Sequence, residues 1–217
     1  MIYIVKHKDY DNPIPKGFKE LGVGAKFEGK GKNINNLNPY INEATAYYDL
    51  WKNSKDKVVG ICHYRRFFGE NGKPIESKRI TEILKDNDMI ISEPYRYVTS
   101  VYNALLADLA PYGEADIYNR YLEKIYEKDA GFKDYMMGKE FYPREMIITS
   151  KVVFDKFCEQ LFDVIVPIAK EYDKEYKTDP YTGTKNPRIF GFIVERYFSY
   201  VIVKNNFKTY QMGYIDV

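Results

Sequence analysis

We predict that the sequence encodes an α/β fold, a three-layer sandwich with a mostly parallel central sheet and extra C-terminal helices. The first observation is that short apolar runs typical of strands alternate with helical patterns along the chain. The second is that residues 58–62 are apolar on both faces, as a central strand requires. The third is the length of 217 residues, which fits a single domain over residues 1–217.

The first half of the chain contains strands separated by a loop and by helices. A strand over residues 2–5 leads into a long irregular loop rich in Pro and Gly, and such loops tend to be functional. A helix over residues 38–54 follows, with Asn38 as its cap and Pro39 in its first turn. The next strand covers residues 57–68. Beyond it we predict a helix over residues 77–87, a strand over 88–92, and helices over 101–109 and 115–128.

The second half is dominated by two long helices. A short strand over residues 145–149 precedes Ser150, which caps a helix over residues 151–176. Pro167 is expected to kink this helix or to end its first half. Residues 189–206 form a helix that is apolar on nearly all sides, and such a helix is normally buried. A last strand over residues 208–217 completes the predicted order.

Composition and charge exclude several classes of protein. The net charge of +2 is too small for a dedicated nucleic-acid coat. The 22 tyrosines favour hydrogen-bonding clefts, although codon bias explains them equally well. Cys62 and Cys158 lie in separate apolar runs and resemble buried hydrophobes of a reducing compartment, with no zinc-site spacing. No signal peptide and no transmembrane run are predicted, so we expect a cytoplasmic protein, with peripheral contact with the inner membrane left open.

A basic cluster ends the strand predicted over residues 57–68, because His63, Tyr64, Arg65 and Arg66 follow the apolar run. Alternation places His63 and Arg65 on one face and Tyr64 and Arg66 on the other. Ligands of open α/β sheets bind outside the carboxyl ends of the strands, and arginine forks match phosphate or carboxylate oxygens. The cluster therefore indicates an anion site, most naturally for a diphosphate. The alternative is that both arginines pair with acidic residues and hold a loop.

Glu195 and Arg196 interrupt the apolar C-terminal helix, where an unpaired buried charge is very costly. Adjacent helix positions do not face each other, so we expect each residue to have its own partner. Arg188 lies on the same stripe of the helix as Glu195. One hypothesis makes Glu195 a base or a hydroxyl acceptor in a cleft, with Arg188 and Arg196 binding substrate. The alternative is a buried ion pair between Glu195 and an arginine from another element.

Two further segments carry candidate binding residues. His7 and Lys8 leave the carboxyl end of the first strand, a usual ligand position, although solvated loop charges give the same pattern. Asn42 and Glu43 lie in the first turns of a helix after an Asn-rich stretch. Their side chains suit hydrogen bonding to a polyol, and capping or turn chemistry is the alternative.

Several motifs with known chemistry are absent. The chain has no P-loop, no dinucleotide-binding glycine fingerprint and no nucleophile elbow. No Asp-x-Asp motif stands at a strand end, so no metal ligand is predicted, and a divalent cation (Mn²⁺ or Mg²⁺) is left open. If the basic cluster binds a diphosphate, its arginines are expected to replace the metal.

Two blocks resemble a known family. The stretch "NPYINEATAYYDLWKN" fits the pattern E-x-T-A-x-Y-x-x-W-K-N, and "VVGICHYRRFF" fits G-[LI]-C-H-Y-R-R-[YF]-F. Over nearly its whole length the chain is similar to a bacterial family catalogued as domain of unknown function 4422. Members of that family are described as capsular or exopolysaccharide glycosyltransferases.

The resemblance implies a GT-A-like, Rossmann-like fold and a transfer reaction. A hexose such as galactose, in pyranose or furanose form, would pass from a UDP-sugar to a growing capsular polysaccharide, exopolysaccharide or cell-surface glycan. The partners implied are a nucleotide-sugar donor and a glycan or lipid-linked glycan acceptor, without nucleic acid. His63, Arg65 and Arg66 would lie near the diphosphate or the donor sugar, and Glu195 would activate the acceptor hydroxyl.

Two departures from the family pattern concern the expected cleft. Glu145 stands where members often have asparagine, and the basic "GKGKNINN" replaces a stretch that is often acidic. Both places are expected to line the cleft, so the donor sugar or the acceptor would differ from those of other members. Two alternatives stay open: an inactive nucleotide-sugar or glycan-binding module of the same fold, and a protein that binds single-stranded nucleic acid.

Overall fold

The computed structural model describes residues 1–8, 13–27, 31–113 and 115–216, and these form eleven strands and nine α-helices. The strands are β1 Ile2–Lys6, β2 Phe18–Gly22, β3 Val58–His63, β4 Arg66–Glu70, β5 Lys73–Pro74, β6 Met89–Ser92, β7 Tyr95–Arg96, β8 Glu140–Phe141, β9 Ile147–Ser150, β10 Thr209–Met212 and β11 Tyr214–Asp216. The helices are α1 Asn38–Ile41, α2 Ala44–Asn53, α3 Ser77–Ile83, α4 Val101–Leu109, α5 Ala115–Lys128, α6 Gly131–Met137, α7 Lys151–Thr178, α8 Pro180–Gly183 and α9 Ile189–Lys204.

The central sheet has the strand order β10-β6-β9-β3-β1-β2. β1 pairs in parallel with β2 and β3, and β6 pairs in parallel with β10. Only β9 runs antiparallel along this path, between β3 and β6. The predicted mostly parallel sheet is therefore confirmed. The carboxyl ends of β1, β3 and β6 meet the amino end of β9 at one edge, which we call the carboxyl edge.

Helices cover both faces of this sheet, which confirms the three-layer architecture. Val59, Ile61 and Ile147 point into the larger core, where α1, α2, α7 and α9 pack. Cys62 and Ile148, one residue on, point into a smaller core closed by α3 and β4. The alternation follows from the pleat of a strand that is buried on both faces. His63 continues the series of Val59 and Ile61, so its position belongs to the face that carries the larger helical layer.

The strand predicted over residues 57–68 is wrong as a single element. Tyr64 and Arg65 form a tight turn, and β3 and β4 pair antiparallel at His63 and Arg66. The turn contains neither Gly, Asn nor Pro, so the composition signals used to recognise turns do not mark it.

The helix predicted over residues 38–54 is likewise divided, because Asn42 adopts a left-handed φ of 49° between α1 and α2. Asn38 does not cap the helix. Its side chain instead donates to the carbonyl of Asn42 and to Thr45 Oγ1, each at 2.9 Å. The backbone N–H of Asn42 donates to the carbonyl of Asn38 at 3.0 Å, so several hydrogen bonds stabilise the break between α1 and α2.

Other predicted elements match with smaller differences. Ser150 caps α7 by accepting the N–H of Val153, as predicted, but the helix continues unbroken through Pro167. The edge strand β2 and helix α6 were not predicted, and the last predicted strand is divided into β10 and β11. Both cysteines are free and buried, as expected. Residues 9–12 and 28–30 of the irregular loop, and Val217 of the last predicted strand, lie outside the described residues.

In the described part of the chain, no helix is both long and apolar enough to cross a membrane.

Candidate functional site

Tyr64 gathers three basic side chains at the carboxyl edge. Its ring centroid lies 5.4 Å from that of His7 in an edge-to-face contact, 5.5 Å from Lys8 Nζ and 5.0 Å from Arg65 Cζ. The pairing of Val5 with His63 brings the ends of β1 and β3 together, and the N–H of Tyr64 donates to the carbonyl of Val5 at 3.2 Å. Cation–π attraction then favours basic groups around the ring. The predicted residues from the two strand ends therefore form one cluster.

Arg188 and Glu43 lie close enough to this cluster to influence His7. Burial lowers the pKa of His7 below its usual value, and the positive charges of Arg188, Lys8 and Arg65 lower it further. The carboxylate of Glu43 opposes this shift by favouring the charged imidazolium. His7 therefore favours the neutral form at neutral pH, although cations surround it.

Asn42 connects the start of α9 to the break between α1 and α2. Its Oδ1 accepts a hydrogen bond from Arg188 Nη1 at 3.1 Å. The approach is so close that a Cβ added to Gly191 would lie 2.1 Å from Asn42 Nδ2 and 3.1 Å from the carbonyl oxygen of Tyr40. A side chain at position 191 would therefore have to displace the Asn42 amide that accepts from Arg188.

A cluster of carboxyl groups, Glu43, Glu145 and Glu195, lies beside the cations. Glu145 is only 4% exposed, and its Oε1 has no hydrogen-bond partner among the described residues. Burial raises the pKa of Glu145 well above its usual value, and the carboxylates of Glu43 and Glu195 raise it further. Glu145 is therefore protonated over a wider pH range than an exposed glutamate. Its buried, unpaired oxygen is the kind of polar atom that a bound ligand would satisfy.

The backbone that carries Glu145 is in an unfavourable conformation. Arg144 and Glu145 have left-handed φ angles of 77° and 48°, and Tyr47 donates its hydroxyl to the carbonyl of Glu145. With Asn42, three of the five non-glycine residues of positive φ in the described chain belong to this site. Such conformations persist only where neighbouring contacts hold them, and they are enriched at functional sites.

Glu195 and Arg196 differ from the sequence expectation. They do contact each other, because the long Arg196 side chain brings Nη1 to 3.3 Å from Glu195 Oε2. Arg196 is 1% exposed, also pairs with Asp108, and lies 4.4 Å above the ring of Phe141. The second oxygen of Glu195 accepts the backbone N–H of Arg144 at 2.7 Å. Glu195 therefore holds the backbone at Arg144, and Arg196 holds Glu195.

Arg66 is not part of the cation cluster around Tyr64. Its Nε lies 2.9 Å from Asp216 Oδ1, across the antiparallel pair of β4 and β11. The tight turn after β3 sends Arg66 back along β4, so Arg65 and Arg66 separate. This is the loop-holding alternative stated above for the arginines, and it applies to Arg66 alone. His63 stays at the end of β3, where its buried Nε2 has no hydrogen-bond partner among the described residues.

Sequence reasoning missed Arg144 and the two tyrosines beside it. Arg144 Nη2 donates to the hydroxyl of Tyr95, and Arg144 Cζ lies 4.2 Å from the ring centroid of Tyr214. The available signal was the segment "YPRE" immediately before a buried strand. The rule for parallel sheets does not identify this segment, because that rule directs attention to residues that follow strands.

A divalent cation does not fit the described side chains. Among them, no group of three or more His, Cys, Asp or Glu is arranged to hold a metal ion. Glu195 is already engaged by Arg144 and Arg196, and the raised pKa of Glu145 disfavours the charged form that a cation would need. We therefore derive no chemical step through a metal.

Comparisons with known proteins agree with this architecture. The apo structure of WbbM, a bifunctional glycosyltransferase, has a TM-score of 0.68 at 19% sequence identity, covering 100% of this chain and 45% of that one. This likeness shows a glycosyltransferase-like fold of the predicted GT-A-like class, and the chain spans less than half the length of WbbM. No curated protein matches the chain. The model of the family described as domain of unknown function (DUF4422) matches residues 1–206, so the chain belongs to the DUF4422 family.

Proposed function

We propose that this protein is a glycosyltransferase that moves a hexose from a UDP-sugar to a growing capsular polysaccharide, exopolysaccharide or cell-surface glycan. Galactose, as pyranose or furanose, is the hexose we test first. The observation that carries the proposal is the convergence of His7, Lys8 and Arg65 on Tyr64, with Arg188 nearby, at the carboxyl edge. Ligands of open α/β sheets bind at this edge.

The cation cluster suits the diphosphate of the donor. When UDP leaves, negative charge develops on its phosphate oxygens, and preorganised cations stabilise that charge more than they stabilise the ground state. Among the described residues Arg65 forms no ion pair, so its N–H donors are available for phosphate oxygens. Lys8 adds a second positive charge, with Nζ 5.5 Å from the centroid of the Tyr64 ring.

The carboxyl cluster suits the sugar hydroxyls. We assign hydrogen bonding of the donor hexose to His63, Asn42 and Glu145, because His63 and Glu145 carry buried polar atoms without a described partner. Glu43 is our candidate for general-base help to the acceptor hydroxyl, since its carboxylate forms no hydrogen bond or ion pair with described side chains. Glu195, whose oxygens already accept two N–H groups, positions the Arg144–Glu145 backbone instead.

The test compares two adjacent arginines. Arg65→Ala should lower the release of UDP from UDP-hexose by roughly two to three orders of magnitude, as lost charge stabilisation does elsewhere. Arg66→Ala should lose less than about tenfold, because Arg66 already pairs with Asp216 and such partly exposed pairs contribute little. Equal effects of the two substitutions, or wild-type turnover in Arg65→Ala, would contradict the assignment.

A thermal-shift panel of UDP-galactose, UDP-galactofuranose and UDP-glucose, with and without Mn²⁺, tests donor binding separately. A donor that binds only the folded state raises the melting temperature by mass action. Donor binding without any UDP release would favour the alternative of an inactive nucleotide-sugar-binding module. Cytoplasmic location and contact with the membrane face stay part of this proposal, and fractionation of cells that express the protein tests both.

A further inference from the structure

The guanidinium group of Arg144 lies between two tyrosine rings at the carboxyl edge. Its Cζ is 4.2 Å from the ring centroid of Tyr214 and 5.2 Å from that of Tyr95, and Nη2 donates to the Tyr95 hydroxyl. The three residues come from β11, the segment before β9, and β7, so distant parts of the chain converge here. Tyr95 is 44% exposed, and Tyr214 lies beyond the residues that the family model matches.

Arg144 differs from Arg66 and Arg96 because no carboxylate of the described residues neutralises it. Arg66 lies 5.7 Å from the same Tyr214 ring but pairs with Asp216, and Arg96 pairs with Glu140 at 3.3 Å. In the described part of the chain, Arg144 forms no ion pair, and its guanidinium donates one hydrogen bond, to Tyr95. A guanidinium carries several N–H donors in a planar fork, so most of them stay available.

The backbone holds this cation in a fixed place next to the proposed donor site. Arg144 and Glu145 both have left-handed φ angles, and Glu195 accepts the N–H of Arg144 at 2.7 Å. Glu145 is directed into the buried carboxyl cluster, whereas Arg144 is directed to the tyrosines. Consecutive Cα atoms are only about 3.8 Å apart, so the side chains of Arg144 and Glu145 lie in neighbouring regions on either side of one peptide unit.

We propose that Arg144, Tyr95 and Tyr214 form a subsite for an anionic group of the acceptor, a carboxylate or a phosphate. That this anion belongs to the acceptor rests on the proposed function, since the donor diphosphate is assigned to the separate cluster around Tyr64. The guanidinium fork matches two oxygens of a carboxylate or phosphate. The exposed Tyr95 ring offers an apolar face to the sugar or chain that carries the anion.

The test measures binding of model anions by titration calorimetry with UDP present. The probes are benzyl β-D-glucuronide as a uronic acid, octyl diphosphate as a lipid-linked phosphate, and neutral benzyl β-D-glucoside. Wild type should bind one anionic probe at least ten times more tightly than the neutral probe. Arg144→Gln should weaken that probe roughly ten- to a hundredfold, as loss of a charged hydrogen-bonding group does. The matched control Arg96→Gln should change it less than about twofold, because Arg96 is exposed and already paired.

The outcomes separate this proposal from the proposed function. The anionic probe that binds identifies the source, a uronic acid or a lipid diphosphate. Tyr214→Leu, which keeps Arg144 but removes its ring support, should also weaken that probe and serves if Arg144→Gln fails to fold. Equal affinity for charged and neutral probes, equal loss in the Arg144 and Arg96 variants, or displacement by UDP would overturn the subsite. Failure of every UDP-hexose to raise the melting temperature would instead refute the proposed donor, whatever the anionic probes do.

Discussion

Glu145→Gln tests whether a buried neutral carboxyl group lies in the site. Glu145 is 4% exposed, and Glu43 and Glu195 both raise its pKa above the usual value of 4.5. In the unfolded chain this carboxyl group ionises above pH 4.5, whereas in the folded protein its raised pKa lets it keep the proton to higher pH. The unfolded state then binds fewer protons, so the contribution of Glu145 to stability is full below pH 4.5 and is lost as pH rises through the folded pKa. Glutamine has a similar shape and does not titrate, so the variant escapes this loss.

The dependence of the free energy of unfolding on pH sets the size of the expected effect. One proton of difference changes the free energy of unfolding by about 1.4 kcal/mol per pH unit while the folded group stays protonated. From pH 5.5 to 7.5 the variant should therefore gain up to roughly 2.7 kcal/mol over wild type. For a chain of this size that corresponds to about 5–10 °C in melting temperature.

The assay is a melting-temperature series in matched buffers. Glu93→Gln is the control, because Glu93 is exposed and follows β6 at the same edge of the sheet. Its melting temperature should track that of wild type at every pH. A difference between Glu145→Gln and wild type that does not change with pH would refute the conclusion that folding keeps Glu145 neutral.

Two further changes test other residues of the candidate site. Gly191→Ala would place a Cβ 2.1 Å from Asn42 Nδ2, so urea denaturation should show that the free energy of unfolding falls by about 1–3 kcal/mol. An unobstructed Gly→Ala change in a helix would instead raise it by about 0.5–1 kcal/mol. A rise would show that Asn42 moves aside freely. His7 has a lowered pKa, so it should gain a proton, and UDP-hexose should bind more tightly, as pH falls below the usual histidine value of 6.5, whereas His7→Gln should show no such trend. Parallel pH profiles of the two proteins, measured by calorimetry, would remove His7 from the donor site.

Long elements with strong periodicity could be predicted from the sequence. Helices α5, α7 and α9 and strand β6 appear where the apolar patterns indicate them, because each buries a continuous face. Pro167 was expected to interrupt α7, but the helix continues through it, since its packing against α2, α5 and α9 outweighs one lost hydrogen bond. The edge strand β2 was missed because "FKELG" carries two adjacent charged residues and a glycine instead of an apolar run, as an edge exposed to solvent allows.

Several side chains of the site could be predicted from the sequence, but the partner that each of them contacts could not. His7 and Arg65 come together because β1 and β3 end at the same edge of the sheet, which is a general rule. Arg188 and Glu43 reach them from the starts of α9 and α2, which that rule does not predict. The partner of Arg66 could not be predicted, because Asp216 is 150 residues away and reaches it only through the pairing of β4 with β11.

The antiparallel direction of β9 also limits which strand-end residues a local rule can identify. Arg144 and Glu145 precede their strand, whereas the rule for parallel sheets directs attention to residues that follow strands. Nothing in the short apolar pattern "MIIT" reveals the direction of the strand. Direction is decided by which neighbours it pairs with, and that is a property of the whole sheet.

The left-handed backbone at Asn42, Arg144 and Glu145 has a practical consequence for engineering. Each such conformation costs a non-glycine residue of order 1–3 kcal/mol, and glycine at any of them would remove that cost. The same replacement would remove the side chain and make the neighbouring peptide units more flexible. A search for thermostable variants would therefore favour changes at these positions and select for loss of the side chains that we assign to substrate binding, unless the screen also demands turnover.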